Sequence, residues 1–191
     1  MTGTLSLLRS FIAVDVSAID PITRLQDEIW SAAKWSNKDV KPVQSQNFHF
    51  TLIFLGEISD PDVDRIQSKL SGLRFEAIDL SYDGLGAFPR PDAARIVWVG
   101  VDREGSQKLS GIAGKVTAAV SELGFKPDKP FSPHLTIFRV KARQPIDISG
   151  LAKRYGELAI SDRIDKVHLK KSELTPAGPV YSNIYTVEAG K

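Results

Sequence analysis

Residues 47–57 read NFHFTLIFLGE, and this stretch decides the fold. A β-strand repeats every two residues, so His49 and Thr51 share one face while Phe48, Phe50, Leu52 and Phe54 take the other. Two hydrogen-bonding side chains thus stand together on a strand whose opposite face is wholly apolar. Residues 130–140, PFSPHLTIFRV, repeat the arrangement: His134 and Thr136 on one face, Leu135 and Ile137 on the other. The chain holds three histidines, and two of them sit in this setting.

Working outward, each histidine strand has the same neighbours. Residues 7–15 read as a strand, followed by a helix with Pro21 in its first turn and Ile22, Leu25 and Ile29 at helical spacing. After the His49 strand, SDPDVDRIQSKL supplies a helix start with Ser59 or Asp60 as cap and Val63, Ile66 and Leu70 as its inner stripe. A strand over 73–82 completes the first half. GLGAFPRPDAA then reads as a Gly/Pro-rich connection. RIVWVGV (95–101) is a strand, and a helix follows with Leu109, Ile112, Ala113, Val116, Val120 and Leu123 on one face and Gly124 closing it. Then come the His134 strand, a short helix near 149–156, and strands near 164–173 and 180–187. Both halves run strand, helix, histidine strand, helix, strand, which is duplication at the level of elements. The expectation is α+β: one bilobal domain over 1–191, with motif halves 1–83 and 84–191, in which a pseudo-two-fold brings the two H-x-T units face to face across a cleft.

The bulk numbers suit a globular chain: 191 residues, 42% hydrophobic and 25% charged. The net charge of +2 is too mild to announce a nucleic-acid binder by itself. RVKAR (139–143) and RIDKVHLKK (163–171) concentrate basic residues, and each alone reads as a solvated charged face. Cysteine is absent, so there is no disulfide framework or thiolate metal site, which fits a reducing compartment. No segment reaches the ~18 uninterrupted apolar residues of a membrane span, and a cytoplasmic location without membrane attachment is the expectation.

Paired acid–base catalysis is the chemistry two H-x-T units suit best. Zinc wants three or four N, S or carboxylate ligands, and neither motif carries an H-x-H or a carboxylate. No G-x-S-x-G elbow and no phosphate loop is present. Imidazole can take a proton and imidazolium can give one near neutral pH, so two of them flanking a reacting atom can act as base and acid in one turnover. In-line displacement at phosphorus has that geometry, and threonine hydroxyls beside each histidine can donate to non-bridging oxygens. Phe48 and Phe50 read as core, Tyr181 and Phe131 as candidate base-stacking rings, and His168 as structural or surface.

The pair HFTL (49–52) and HLTI (134–137) resembles the twin signature of the two-histidine (2H) phosphoesterase superfamily. With RSFIAVD (9–15), the FPRP…RIVWVGV region (88–101), FSPHLTIFR (131–139) and SELTPAGPVYS (172–182), nearly the whole chain resembles the RNA 2′,3′-cyclic phosphodiesterases, also called 2′-5′ RNA ligases. The resemblance implies a bilobal fold with antiparallel sheets facing a central cleft and helices outside. It implies hydrolysis of RNA 2′,3′-cyclic phosphate ends, tRNA halves among them, to 2′-phosphomonoesters by a monomer without metal or cofactor. His49 would be the general acid at the 3′ oxygen, His134 the base that activates water, and Thr51, Thr136 and Arg139 the phosphate ligands. Strict alternation sets Arg139 on the face opposite His134, so it reaches the phosphate only if the strand bulges near Phe138. Three alternatives stand beside this reading: a phosphodiesterase for small cyclic nucleotides, a 2′-5′ ligase running the reaction in reverse, and a non-catalytic RNA-end binder.

Overall fold

Two antiparallel sheets build the molecule, a computed structural model that describes residues 7–176 and 178–190. In chain order the elements are β1 (Leu7–Asp15), α1 (Ile19–Ala33), β2 (Val40–Pro42), β3 (His49–Ser59), α2 (Asp60–Ser71), β4 (Ile78–Phe88), β5 (Ile96–Val101), α3 (Arg103–Ser121), β6 (Leu135–Val140), α4 (Ser149–Arg154), β7 (Ser161–Ile164), β8 (Lys166–Thr175) and β9 (Gly178–Glu188). The first sheet has the order β3-β1-β8-β9 and the second β2-β6-β5-β4-β7. This is the expected two-lobed α+β architecture.

The sheets match strand for strand: β3 with β6, β1 with β5, β8 with β4, β9 with β7, with β2 added at one edge. They do not follow the sequence halves 1–83 and 84–191. The last strand of the first half, β4, lies in the second sheet, and β8 from the second half lies in the first. Each half therefore completes the other's sheet, and one apolar core runs through both, from Ile12 and Phe50 to Val97 and Leu135.

Local sequence explains most of the elements. The helix α1 buries Ile22, Leu25 and Ile29. The turn leading into α1 is held from the other lobe: the Asp162 carboxylate on β7 accepts from the backbone N–H groups of Ser17 and Ala18 at 3.2 Å and from the Tyr82 hydroxyl at 2.8 Å. Ser59 and Asp62 form a reciprocal capping box at the start of α2. The helices α2 and α3 pack against each other and against the back of β3, with α3 reaching β4 as well.

Three expectations are corrected. The strand expected at 73–82 starts at Ile78 and runs on to Phe88, through the stretch read as a connection. Gly86 allows this, since a Cβ there would lie 2.3 Å from the Trp98 ring stacked above it. The strand expected near 164–173 is β8, starting at Lys166, and a further strand not expected, β7, precedes it in the other sheet, parted from it at Asp165. Phe54, expected on the apolar face, is 71% exposed. Its ladder explains why: Ile12 pairs with Ile53 and Ala13 with Thr51, so Leu52 is an extra residue and the alternation reverses beyond it.

Candidate active site

The same interruption occurs in the second motif. Val97 pairs with Phe138 and Trp98 with Thr136, which leaves Ile137 extra. Both histidine strands therefore bulge at the fourth residue of H-x-T-x, Leu52 in β3 and Ile137 in β6. Beyond the bulge Phe138 turns into the core and Arg139 turns out to solvent on the face of Thr136. The objection from strict alternation is thereby removed.

His49 opens β3 and His134 immediately precedes β6. Both rings are held the same way. The backbone carbonyl two residues earlier, Asn47 for His49 at 2.7 Å and Ser132 for His134 at 2.8 Å, accepts from Nδ1–H. That bond fixes the neutral tautomer and leaves Nε2 of each ring for other partners. Nε2 of His49 lies 3.0 Å from the Thr51 hydroxyl oxygen. Asn47 also donates through its side chain to the Pro179 carbonyl at 3.1 Å, tying the start of β9 to this corner. The strands β3 and β6 approach within 8 Å between Cα atoms, and the charge of Arg139 in β6 reaches His49 in β3.

Aromatic rings wall both imidazoles. Phe11 lies 5.1 Å and Tyr181 5.3 Å from the His49 ring, centre to centre. Phe88 lies 4.9 Å and Trp98 6.3 Å from His134. Desolvation against this packing pushes His49 down to about 4; the Lys170 ammonium and the Arg139 guanidinium push the same way, while the Asn47 carbonyl and Asp15 oppose. His134 is lowered too, first by burial and then by Arg139, against the pull of the Ser132 carbonyl. Arg139 is thus a cation felt by both histidines.

A second polar group lies on the same face of the first sheet. Lys170, 5% exposed, donates to both Asp15 carboxylate oxygens at 2.7 Å. His168, 6% exposed, sets Nε2 3.6 Å from Asp15 and Nδ1 2.9 Å from the Thr186 hydroxyl. Asp15 pairs across the ladder with His49. The run 163–171 is therefore not wholly a solvated face. Arg163 and Lys171 are surface cations paired with Asp79 and Glu173, but His168 and Lys170 are buried. Alternation in V-H-L-K carries that signal: Val167 and Leu169 enter the core, and the two polar residues share the cleft face. The structural or surface role expected of His168 resolves to a buried one. Of the rings named as stacking candidates, Tyr181 lies against His49 and Phe131 packs against the core. Sequence reasoning left out Phe11, Asp15, Trp98 and Lys170. Among the described residues, no group of three His, Cys, Asp or Glu side chains converges as a metal site.

Comparison with known proteins identifies the family. The family model described as LigT-like phosphoesterase fits twice, over residues 12–98 and again over 99–181. An RNA 2′,3′-cyclic phosphodiesterase of Archaeoglobus fulgidus is 36% identical over 188 residues, covering 95% of this chain and 100% of that protein. A protein of the same name from Aeropyrum pernix is 39% identical over 171 residues, covering 88% of this chain and 94% of its own. The crystal structure of E. coli LigT complexed with 3′-AMP superposes with a TM-score of 0.75 over 97% of this chain and 100% of that one, at 24% identity, and shares the fold. Two copies of one family unit, each with a bulged histidine strand, make up this molecule, and the chain belongs to the LigT-like phosphoesterase family.

Proposed function

We propose that the protein hydrolyses RNA 2′,3′-cyclic phosphate ends to 2′-phosphomonoesters by paired histidine catalysis. The observation that carries this is the matched pair: two imidazoles with Nδ1 tied to backbone two residues earlier and Nε2 left for other partners. Relatives named for this activity, aligned along nearly the whole chain, agree with it.

In this reading water attacks phosphorus and His134 Nε2 takes its proton. The P–O3′ bond breaks, and His49 Nε2–H gives its proton to the departing 3′ oxygen. The products are a 2′-phosphomonoester and a free 3′-hydroxyl, and the two histidines have exchanged protonation states. Burial keeps His49 mostly neutral at pH 7 in the free protein, so its proton arrives with the anionic substrate, whose charge favours imidazolium. Once Nε2 carries that proton, Thr51 no longer donates to it and its hydroxyl turns to a phosphate oxygen. Thr136 and Arg139 hold the remaining oxygens.

The reading treats the chain as one catalytic unit, active as a monomer, since each lobe supplies one histidine from the same polypeptide. It needs no metal and no organic cofactor. tRNA halves are the first natural substrates to test, and a chain without cysteine suits the reducing cytoplasm. The test uses a short RNA with a 2′,3′-cyclic phosphate end, EDTA, and wild-type, His49→Ala and His134→Ala protein. Conversion to the 2′-phosphate by wild type alone is expected. An intact end with wild type, or undiminished turnover by either variant, rejects the proposal.

A further inference from the structure

We infer that the basic run 139–143 is a track for the RNA backbone: Arg139 takes the terminal cyclic phosphate, and Lys141 and Arg143 take the phosphates of the nucleotides before it. This rests on the cyclic-phosphate reading above and deepens it, from a nucleotide end to a polynucleotide held along the second lobe.

Two basic runs stand out in the sequence, and the fold treats them oppositely. In 163–171 the cations have carboxylates: Arg163 has Asp79, Lys166 has Glu188, Lys170 has Asp15 and Lys171 has Glu173. Among the described residues, Arg139, Lys141 and Arg143 have no carboxylate partner, and all three are exposed. Asp39 meets this run through its backbone carbonyl, while its carboxylate takes the Ser36 hydroxyl at 2.6 Å. A charge run alone is ordinarily a solvated face. Here like charges are gathered in one short segment with nothing set against them, so an anion from outside relieves their repulsion.

The segment that carries them is held in place. Arg95 gives its guanidinium to the Ala142 and Arg143 carbonyls at 2.6 and 2.7 Å. The Asp39 carbonyl accepts from the Lys141 and Ala142 N–H groups at 2.6 and 3.0 Å, and the Arg95 carbonyl from the Val140 N–H at 2.9 Å. The backbone is thus fixed from Val140 to Arg143 while the cationic side chains stay in solvent, which lowers the ordering cost of binding. Placement points to the partner. Arg139 lies past the bulge on the face of Thr136, and both histidines feel its charge. The run leads outward from it, so one cation follows another away from the reacting phosphate. Single-stranded RNA has the matching form, a row of phosphates leading up to the cyclic end. The first lobe offers no counterpart: counted equally from His49, Gly56 and Ile58 stand where Lys141 and Arg143 stand after His134, and the exposed charge between them is Glu57. The body of the RNA therefore leaves the site over the second lobe. Phosphate contacts read no base, so the track selects for length and not for sequence.

The test compares adenosine 2′,3′-cyclic phosphate with a single-stranded oligoribonucleotide ending in the same group. The double variant Lys141→Ser, Arg143→Ser should raise KM about tenfold for the oligonucleotide at low salt and leave it unchanged for the mononucleotide. Fluorescence anisotropy with the oligonucleotide carrying a 2′-phosphate end reads the track independently of turnover. There the slope of log Kd against log salt should fall by roughly 1.4, the share of two phosphates on a single strand. Arg163→Ser with Lys171→Ser removes the same charge from the paired run and should change neither reading. Polyglutamate should displace the oligonucleotide far less well than unlabelled RNA of equal charge. An unchanged oligonucleotide KM and salt slope, equal effects on both substrates, equal effects of the control pair, or equal competition by polyglutamate each overturn the inference. Wild type that turns over neither cyclic phosphate rejects the hydrolysis reading instead, and the anisotropy still decides the track.

Discussion

Gln26 Nε2 donates to the carbonyl oxygen of Ile137 at 2.7 Å, and this bond fixes the bulge that turns Arg139 toward the site. Ile137 is the unpaired residue of its ladder, so its carbonyl has no β5 partner. It is served instead by Gln26, 7% exposed on α1, and by the Val43 backbone N–H at 2.9 Å. Gln26 also donates to the Val43 carbonyl at 3.0 Å, locking the segment leaving β2 to the same point. Replacing it by the similarly sized Leu strips a donor from two buried carbonyls, which should cost about 1–3 kcal/mol of stability. We expect Gln26→Leu to lower the urea midpoint and to raise KM more than it lowers kcat, because Arg139 loses its aim. A stability loss with wild-type KM would limit Gln26 to a packing role.

The pH dependence follows from burial. Both histidines lie below the ordinary 6.5, His49 at about 4. In kcat/KM the acid limb reports the base and the alkaline limb the acid of the free enzyme. Both limbs should therefore fall on the acid side of 6.5, and kcat, measured with the phosphate anion bound, should peak at higher pH. Arg139→Gln removes a cation that lowers both groups, so both limbs of kcat/KM should move up. Unmoved limbs would place Arg139 too far away to matter.

The same shifts set a stability window. Between about 4 and 6.5 the unfolded chain binds protons that the folded His49 refuses. Stability is therefore fully present above 6.5 and falls as pH drops toward 4. His49→Gln should flatten that slope in urea titrations run at stepped pH; an unchanged slope would assign the window to other groups.

What was legible in the sequence was whatever period and motif carry. The alternation of NFHFTLIFLGE placed Phe48 and Phe50 in the core and His49 with Thr51 on the other face, as the structure has them. The spacing of Ile22, Leu25 and Ile29 identified α1. The bulges were not legible at Phe54, because period-two reasoning assumes an unbroken ladder and the extra residue announces itself only through its partner strand. The exchange of β4 and β8 between lobes was hidden for a related reason, since pairing is decided by tertiary contact and not by the strand's own pattern. Lys170 escaped because a basic run suggests solvent, while its partner Asp15 lies far off in sequence.

Trp98 yields a steric prediction. Its indole lies so close over Gly86 that a Cβ there would sit 2.3 Å from the ring. Gly86→Ala should push Trp98 toward His134, whose ring is 6.3 Å away, and cost about 1–3 kcal/mol. A lowered Tm together with a reduced kcat is expected. Full activity at reduced Tm would show that Trp98 yields without disturbing the histidine.

The Asp15–Lys170 pair gives the sharpest test, because its two members act on His49 with opposite sign. Lys170 lowers the histidine and Asp15 raises it. Lys170→Met keeps the stem and removes the cation, so the His49 limb in the pH profile of kcat/KM should move to higher pH. Asp15→Asn should move that limb lower, and should be the more destabilising change. It leaves a buried ammonium without its carboxylate, a loss of about 3–5 kcal/mol where such pairs are broken. A pair that served only to hold β1 against β8 would change the urea midpoint in both variants and shift the limb in neither. Opposite displacements of one limb, read alongside the two midpoints, would place the pair in the electrostatics of His49 and give the buried charges of β8 a part in catalysis.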